Sequence, residues 1–271
     1  MLILPPLAGG WRSLACICPN NHNNGKPSMK RFTLLALALA PLACQAVQLS
    51  DDFSLQVDLT LASDYRTRGI SQTQNDPTAQ AGATLLHSSG LYAGVWTSNV
   101  DFGFGLKTRQ EVDYYAGWYW QATDDISLDT GYIKYSYPKE GQFNQSEVYA
   151  ILAAYGFKLA AQYSNDAKNL FGEKQDTLYS YVGYETTLPL DVGLKLRYGR
   201  NDFKDPLFWS TGGESADAYH EWEAKLTRDF AGVTWGLAYV DTDLSESECA
   251  SYYGFTDVCS ATWVASVSKR F

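Results

Sequence analysis

The stretch Ala261–Phe271 reads ATWVASVSKRF, and its reading decides the fold. Trp263, Ala265, Val267 and Phe271 share one parity, broken only by Lys269. Thr262, Ser266, Ser268 and Arg270 share the other, broken only by Val264. A two-residue period makes this a strand with one apolar and one polar face. The final residue is aromatic, which suits a strand that closes a barrel in a membrane, where aromatic rings form girdles at the lipid–water boundary. The alternative is the edge strand of a soluble sandwich, and the rest of the chain decides between them.

Upstream, the same alternation recurs. Phe53, Leu55, Val57, Leu59 and Leu61 alternate with Ser54, Gln56, Asp58 and Thr60, and this strand is expected to run on to about Arg68, with Ile70–Pro77 as a polar loop. Further strands are expected over Thr78–His87, Leu91–Val100, Thr108–Ala122, Ile126–Tyr137, Ser146–Tyr155, Phe157–Asn165, Asp176–Thr187, Asp191–Phe203, Ala218–Arg228 and Val233–Thr242. With the closing strand this makes about twelve, each long enough to cross an outer membrane at a tilt. Connections alternate in length. Short turns fall near Ser89, Asp124, Gly156, Pro189 and Ala231; long loops fall near Gln74, Phe104, Glu140, Leu170, Gly213 and Cys249. A transmembrane barrel has short turns on one rim and long loops on the other, and a sandwich has no reason to alternate so regularly. Pro77, Pro138, Pro189 and Pro206 all lie in connections, as a closed hydrogen-bonded sheet requires. The expected fold is an all-β, transmembrane, antiparallel up-and-down β-barrel.

Composition agrees. Aromatic residues make up 14% of the chain, yet hydrophobic residues only 45%, as when polar lumen residues dilute lipid-facing ones. The longest apolar run, Phe32–Ala43, follows the basic Met29-Lys30-Arg31 and precedes Cys44-Gln45-Ala46. This is the layout of a secretory signal peptide, expected to be cleaved after Ala46. The expected organisation is an upstream extension over 1–28, a signal peptide over 29–46 and an outer-membrane barrel over 47–271, placed in the cell outer membrane of a Gram-negative bacterium. Loss of Arg12, Lys26, Lys30 and Arg31 with the leader takes the formal net charge from −9 to −13. So acidic an exported chain is a poor partner for nucleic acid. Cys249 and Cys259 remain after cleavage, an even pair expected to form a disulfide.

At Ser63–Gln72, SDYRTRGISQ, the chain resembles the TorF-type porin family of proteobacteria, long held to be of unknown function. LYAGVWTSNVDF (Leu91–Phe102), EVDYYAGW (Glu111–Trp118) and Tyr137-Pro138 strengthen the resemblance, which extends from Phe53 to Phe271. It implies an outer-membrane barrel of the porin kind. It carries no substrate and no catalytic residues. The Asp243–Ser260 segment with its two cysteines stands apart from it.

Charged residues on polar parities are the candidate lumen or selectivity residues: Asp58, Asp64, Arg66 and Arg68 on the first strand, and Glu111 and Asp113 on the fourth. Glu185, Lys195, Arg197, Glu221, Glu223 and Lys225 follow on later strands. They read either as a ring that selects ions or small solutes, or as cross-strand salt bridges that fill and stiffen the barrel. Asp129 and Glu147 join the lumen acids, so acids outnumber bases and an open pore is expected to prefer cations. Glu111 and Asp113, with no base on their strand face, are expected to face water. The outward aromatics Tyr114, Trp118, Trp120, Trp222, Trp235, Tyr239 and Trp263 read as girdle anchors rather than sugar-stacking rings. His87 and His220, the two histidines downstream of the leader, have no visible catalytic partner, so no enzyme, metal or cofactor is expected. The expected partners are outer-membrane lipid and small ions or polar solutes, with an occluded barrel acting through its loops as the alternative and an outer-membrane enzyme a distant third.

Overall fold

The computed structural model describes residues 46–169 and 171–271. The expected extension and leader lie outside them, apart from Ala46. Among the described residues, twelve long strands form one closed antiparallel sheet: β1 (Phe53–Ala62), β2 (Thr78–His87), β3 (Leu91–Asn99), β4 (Gln110–Gln121), β5 (Ile126–Ser136), β6 (Gln145–Ala154), β7 (Phe157–Lys168), β8 (Lys174–Leu188), β9 (Val192–Phe203), β10 (Ala218–Phe230), β11 (Val233–Thr242) and β12 (Thr262–Arg270). Each pairs with its neighbours in sequence, and β12 returns to β1. The seam is set in register by Ser266 opposite Ala62, Ser268 opposite Thr60 and Arg270 opposite Asp58. Beyond it the Phe271 N–H donates to the Val57 carbonyl at 2.8 Å, and Val57 N–H returns a bond to the Phe271 carbonyl at 3.0 Å. The terminal residue thus extends the closing ladder.

The two-residue period puts apolar side chains outside and polar ones inside. Leu61, Leu159, Val182, Trp235 and Trp263 stand exposed, while Gln56, Thr84, Glu111, Glu147 and Glu221 are buried in the lumen. Aromatic pairs mark both rims of the outer surface. Trp118 and Trp120 stack at 6.2 Å toward the short-turn end, and Tyr239 meets Trp263 at 5.3 Å toward the long-loop end.

One half of the lumen is filled by inward tyrosines. Tyr92, Tyr115 and Tyr149 pack with Ile133 as a buried cluster. Tyr92 donates to Asp129 at 2.5 Å and hydrogen-bonds Tyr149, and Tyr115 pairs with Thr84 at 2.5 Å. Each ring lies across a glycine of the adjacent strand. A Cβ on Gly94 would sit 2.5 Å from Tyr115 Cζ, and one on Gly131 would sit 2.6 Å from Tyr149 Oη. The missing side chain is therefore the space into which the ring is laid.

The expected β1 is corrected at its end. The strand stops at Ala62, and Arg66–Thr67 pairs with Ile70–Ser71 as a separate two-residue ribbon. The expected polar loop over 70–77 is thus part of a longer excursion, 63–77, that turns away from the wall.

Gly131→Val should overfill the Tyr149 site and destabilise the barrel by about 1–3 kcal/mol. The check is the temperature at which the fast-migrating, unheated gel band converts to the unfolded one, which should fall relative to the parent.

Candidate functional site

The excursion 63–77 enters the outer half of the lumen. Its tip, Arg68-Gly69, has positive φ at both residues, 49° and 85°. Gly69 is required there, because a Cβ would strike the Thr242 side chain. From this tip the Arg68 guanidinium reaches across the barrel, donating to both Glu147 oxygens at 2.7 Å on β6 and to Gln162 at 2.9 Å on β7. It lies 4.6 Å from the centroid of the Tyr179 ring, and its carbonyl accepts from Tyr219 Oη at 3.0 Å. Burial opposes the Arg68 charge, and the Glu147 carboxylate holds it in place. At the base of the loop, Asp64 accepts from Arg66 at 2.7 Å, Ser71 at 2.6 Å and Thr73 at 3.0 Å. Tyr65 donates to Glu111 at 3.3 Å. Burial, reinforced by the charges of Glu111 and Asp113, pushes the Tyr65 phenol well above its ordinary range, so it stays a neutral donor.

Above this loop sits an apolar cap. Ile70, Leu207, Phe208, Tyr219, Cys249, Val258 and Cys259 form one buried cluster drawn from the loops 63–77, 204–217 and 243–261 together with the start of β10. The last of these loops contains a helix, α1 (Glu246–Tyr253), started by a Ser245/Glu248 capping box and ended by Gly254 in the left-handed conformation. The expected disulfide is present: Cys249 on α1 is bonded to Cys259, with Cα atoms 6.0 Å apart. Cap and inner loop are tied together by Ser71 N–H to Val258 O at 2.9 Å and Arg66 Nη1 to Ser260 O at 2.8 Å.

Below the loop a cavity of about 630 Å³ runs from Asp64, Tyr65 and Arg66 down to Asp229 and Gly232 at the short-turn rim. It lies along β1, β2 and β10–β12 and is bordered by Trp96 on β3 and by Tyr115 of the tyrosine cluster on β4.

The candidate charges mostly find each other. Asp58 pairs with Arg270 across the seam at 2.7 Å. Glu185 meets Lys158 at 2.8 Å and Lys195 at 3.6 Å; Arg197 meets Glu221 at 2.8 Å and Glu223 at 3.5 Å. Lys225 lines the cavity. Asp64, Arg66 and Arg68 are brought inside by the excursion rather than by strand parity. The expectation that Glu111 and Asp113 face water is corrected: they are 2% and 0% exposed, because the loop covers them. No hydrogen-bond donor meets either Asp113 oxygen. His220 was expected to lack a partner; its Nδ1 lies 2.8 Å from Asp243, beside the Tyr198 ring on the outer face.

Lys158, Gln162, Tyr65, Trp96 and Arg270 escaped the sequence reading as lumen residues. Lys158 and Gln162 share the inward parity of β7 with Ala160, so strict alternation along Phe157–Asn165 would have exposed them. Tyr65 carried no such signal, since a loop has no period.

The chain matches, over residues 47–271, the family model Gcw_chp, described as a bacterial protein of unknown function. It therefore belongs to that family. No curated protein matches it in sequence. Among solved structures it is similar to the NanC porin, at a TM-score of 0.51 and 10% identity, over 78% of this chain and 97% of that one. The KdgM porin follows at a TM-score of 0.48 and 10% identity, over 80% and 99% of the two chains. OprD of Pseudomonas aeruginosa is found at 0.37 and 9% identity, over 83% and 68%. The NanC likeness shows the fold.

Arg68→Ala should leave Glu147 buried without its cation and lower stability by about 3 kcal/mol, whereas adding Glu147→Gln should recover part of that loss. Thermal unfolding of the refolded proteins reads both, and equal losses in the single and double variants would show that the pair is not the latch.

Proposed function

We propose that this member of the Gcw_chp family is an outer-membrane channel of the porin kind, non-enzymatic and exported by the leader over 29–46, that passes ions or small polar solutes. The carrying observation is the cavity of about 630 Å³, with charged and hydroxyl side chains in its wall, inside a closed barrel whose outer face is apolar. An open space with charged groups in its wall that reaches the short-turn rim has no use in packing, which elsewhere in the lumen is done by tyrosines and ion pairs. The TorF-type resemblance carried by Ser63–Gln72 fits this reading, since that segment is the loop that stands in the lumen.

Charge along the path is uneven. The cavity itself has four acids, Asp58, Asp64, Glu223 and Asp229, against four bases, Arg66, Lys225, Lys269 and Arg270. The surplus acids, Glu111 and Asp113, lie higher, under the loop. When the loop moves they would regain water, ionise and meet a passing ion in a narrow, weakly screened space, which favours cations. A second reading, an occluded barrel acting through its loops, is favoured by one observation, the apolar cap sealed by Cys249–Cys259 over the Arg68 latch.

Removing the disulfide by Cys249→Ser with Cys259→Ser should take about 2–3 kcal/mol of order from the cap, the chain-entropy value for so short a loop. Single-channel current should then rise several-fold over the parent. Silence in the parent, in this variant and in Arg68→Ala would establish the occluded barrel instead.

In a salt gradient the reversal potential should show cation preference that weakens at high salt and in Glu111→Gln with Asp113→Asn. Anion preference would defeat the charge argument while leaving the channel.

A further inference from the structure

We propose that the cavity is a binding site for a neutral, hydroxyl-rich solute of one or two sugar rings. The proposal deepens the channel reading and rests on it only for how the solute passes.

Size comes first. Small-molecule sites occupy roughly 300–1,000 Å³, and the cavity, at about 630 Å³, has room for such a solute together with some water.

Charge comes second. The four acids and four bases in the wall cancel, and most are already engaged. Asp58 holds Arg270 and Asp64 holds Arg66, both at 2.7 Å. Lys269 Nζ donates to the Gly232 carbonyl at 2.6 Å, and Asp229 accepts from Thr234 at 2.5 Å. Because the wall charges balance in sum, a charged solute would gain no net attraction on entry and would lose its hydration. A neutral polyol loses little, because its hydroxyls can both donate to and accept from the outer edges of such pairs, and hydrogen bonds to charged groups are the stronger ones. The uncharged part of the wall mixes such polar groups, Thr60, Gln80, Ser266 and Ser268, with aliphatic ones such as Val233, Val240 and Val264, which suit the C–H faces of a sugar.

The third observation is aromatic. Trp96 and Tyr65 both line the upper end of the cavity, their ring centroids 5.4 Å apart and their planes tilted by 60°. Trp96 lies over Gly82, where a Cβ would come within 3.3 Å of its ring, so the indole is seated against backbone on one side. Among the described residues no acceptor meets its N–H. A seated indole with an unused donor offers an apolar face and a polar edge. That is the complement of a sugar ring, which has an apolar C–H face and a rim of hydroxyls. A site built to hydrogen-bond hydroxyls discriminates strongly against analogues that lack them. This inward ring differs from the girdle aromatics, which face out.

The test uses the full refolded protein in detergent, titrated calorimetrically with sucrose, with glucosamine and glucuronate as cationic and anionic comparisons. The same sugars are added during bilayer recording. Sucrose should bind saturably and reduce the current at the same concentrations. Both charged sugars should bind at least tenfold more weakly. Trp96→Ala should weaken sucrose at least tenfold and Trp96→Phe by less, with the heat-modifiable band confirming that each is folded. If Trp96→Ala does not fold, Gln80→Ala serves, with a loss of several-fold expected. Conductance without saturable heat or block would overturn the sugar site and leave the channel. Saturable heat without conductance would keep the site and overturn the channel. Tighter binding of either charged sugar would overturn the neutrality argument.

Discussion

A strand in hydrocarbon cannot leave its backbone hydrogen bonds unmade, and this one constraint organises the molecule. Each unpaired N–H or C=O in lipid costs several kcal/mol, so a membrane sheet must close on itself. Here the closure is the β12–β1 seam, ended by the reciprocal bonds between Phe271 and Val57. Once the sheet is closed, the pleat sends every second side chain inward. The polar and charged residues of the inward parity are then delivered to one narrow space, where they must be paired, hydrated or covered.

The lumen meets that demand in three ways. On one side, tyrosine rings lie across glycines and their hydroxyls meet Asp129, Thr84 and Glu221. Around the wall, carboxylates meet guanidinium or ammonium groups on neighbouring strands. Arg197 joins Glu221 and Glu223, so the charges offered by the sequence as a selectivity ring act here largely as cross-braces. On the remaining side the space is left open, and its lining is charge-balanced.

The outer end is governed by loops. Arg68 is a single side chain that connects the inner loop to β6 and β7, and its neighbours Arg66 and Ser71 bind the disulfide-closed segment above. The cap and the inner loop therefore order each other, and any widening of the mouth must separate them. Buried in this arrangement, Glu111 and Asp113 are the carboxyl groups of the described barrel with buried oxygens that meet no hydrogen-bond partner.

Alternation in the sequence determined the barrel, because a period of two residues is a local property that each strand carries independently. The ATWVASVSKRF stretch, the alternating long and short connections and the confinement of proline to them gave all twelve strands, all but the first within a few residues; that one was carried past its end at Ala62 to Arg68. The strands also placed Glu185, Arg197, Glu221 and Glu223 in the lumen, and the two cysteines announced their bond. The helix α1 inside the cysteine-bearing segment went unread, although Ser245 and Glu248 three residues apart carry its capping-box signal. Only the tertiary structure decided which charges face water. Asp64, Arg66 and Arg68 continue the polar parity of β1 on paper, yet the chain leaves the wall at Ala62 and carries them across the lumen. That path is set by contacts distant in sequence, Arg68 with Glu147 and Ile70 with Cys249, Val258 and Cys259, and contacts of that range leave no period behind.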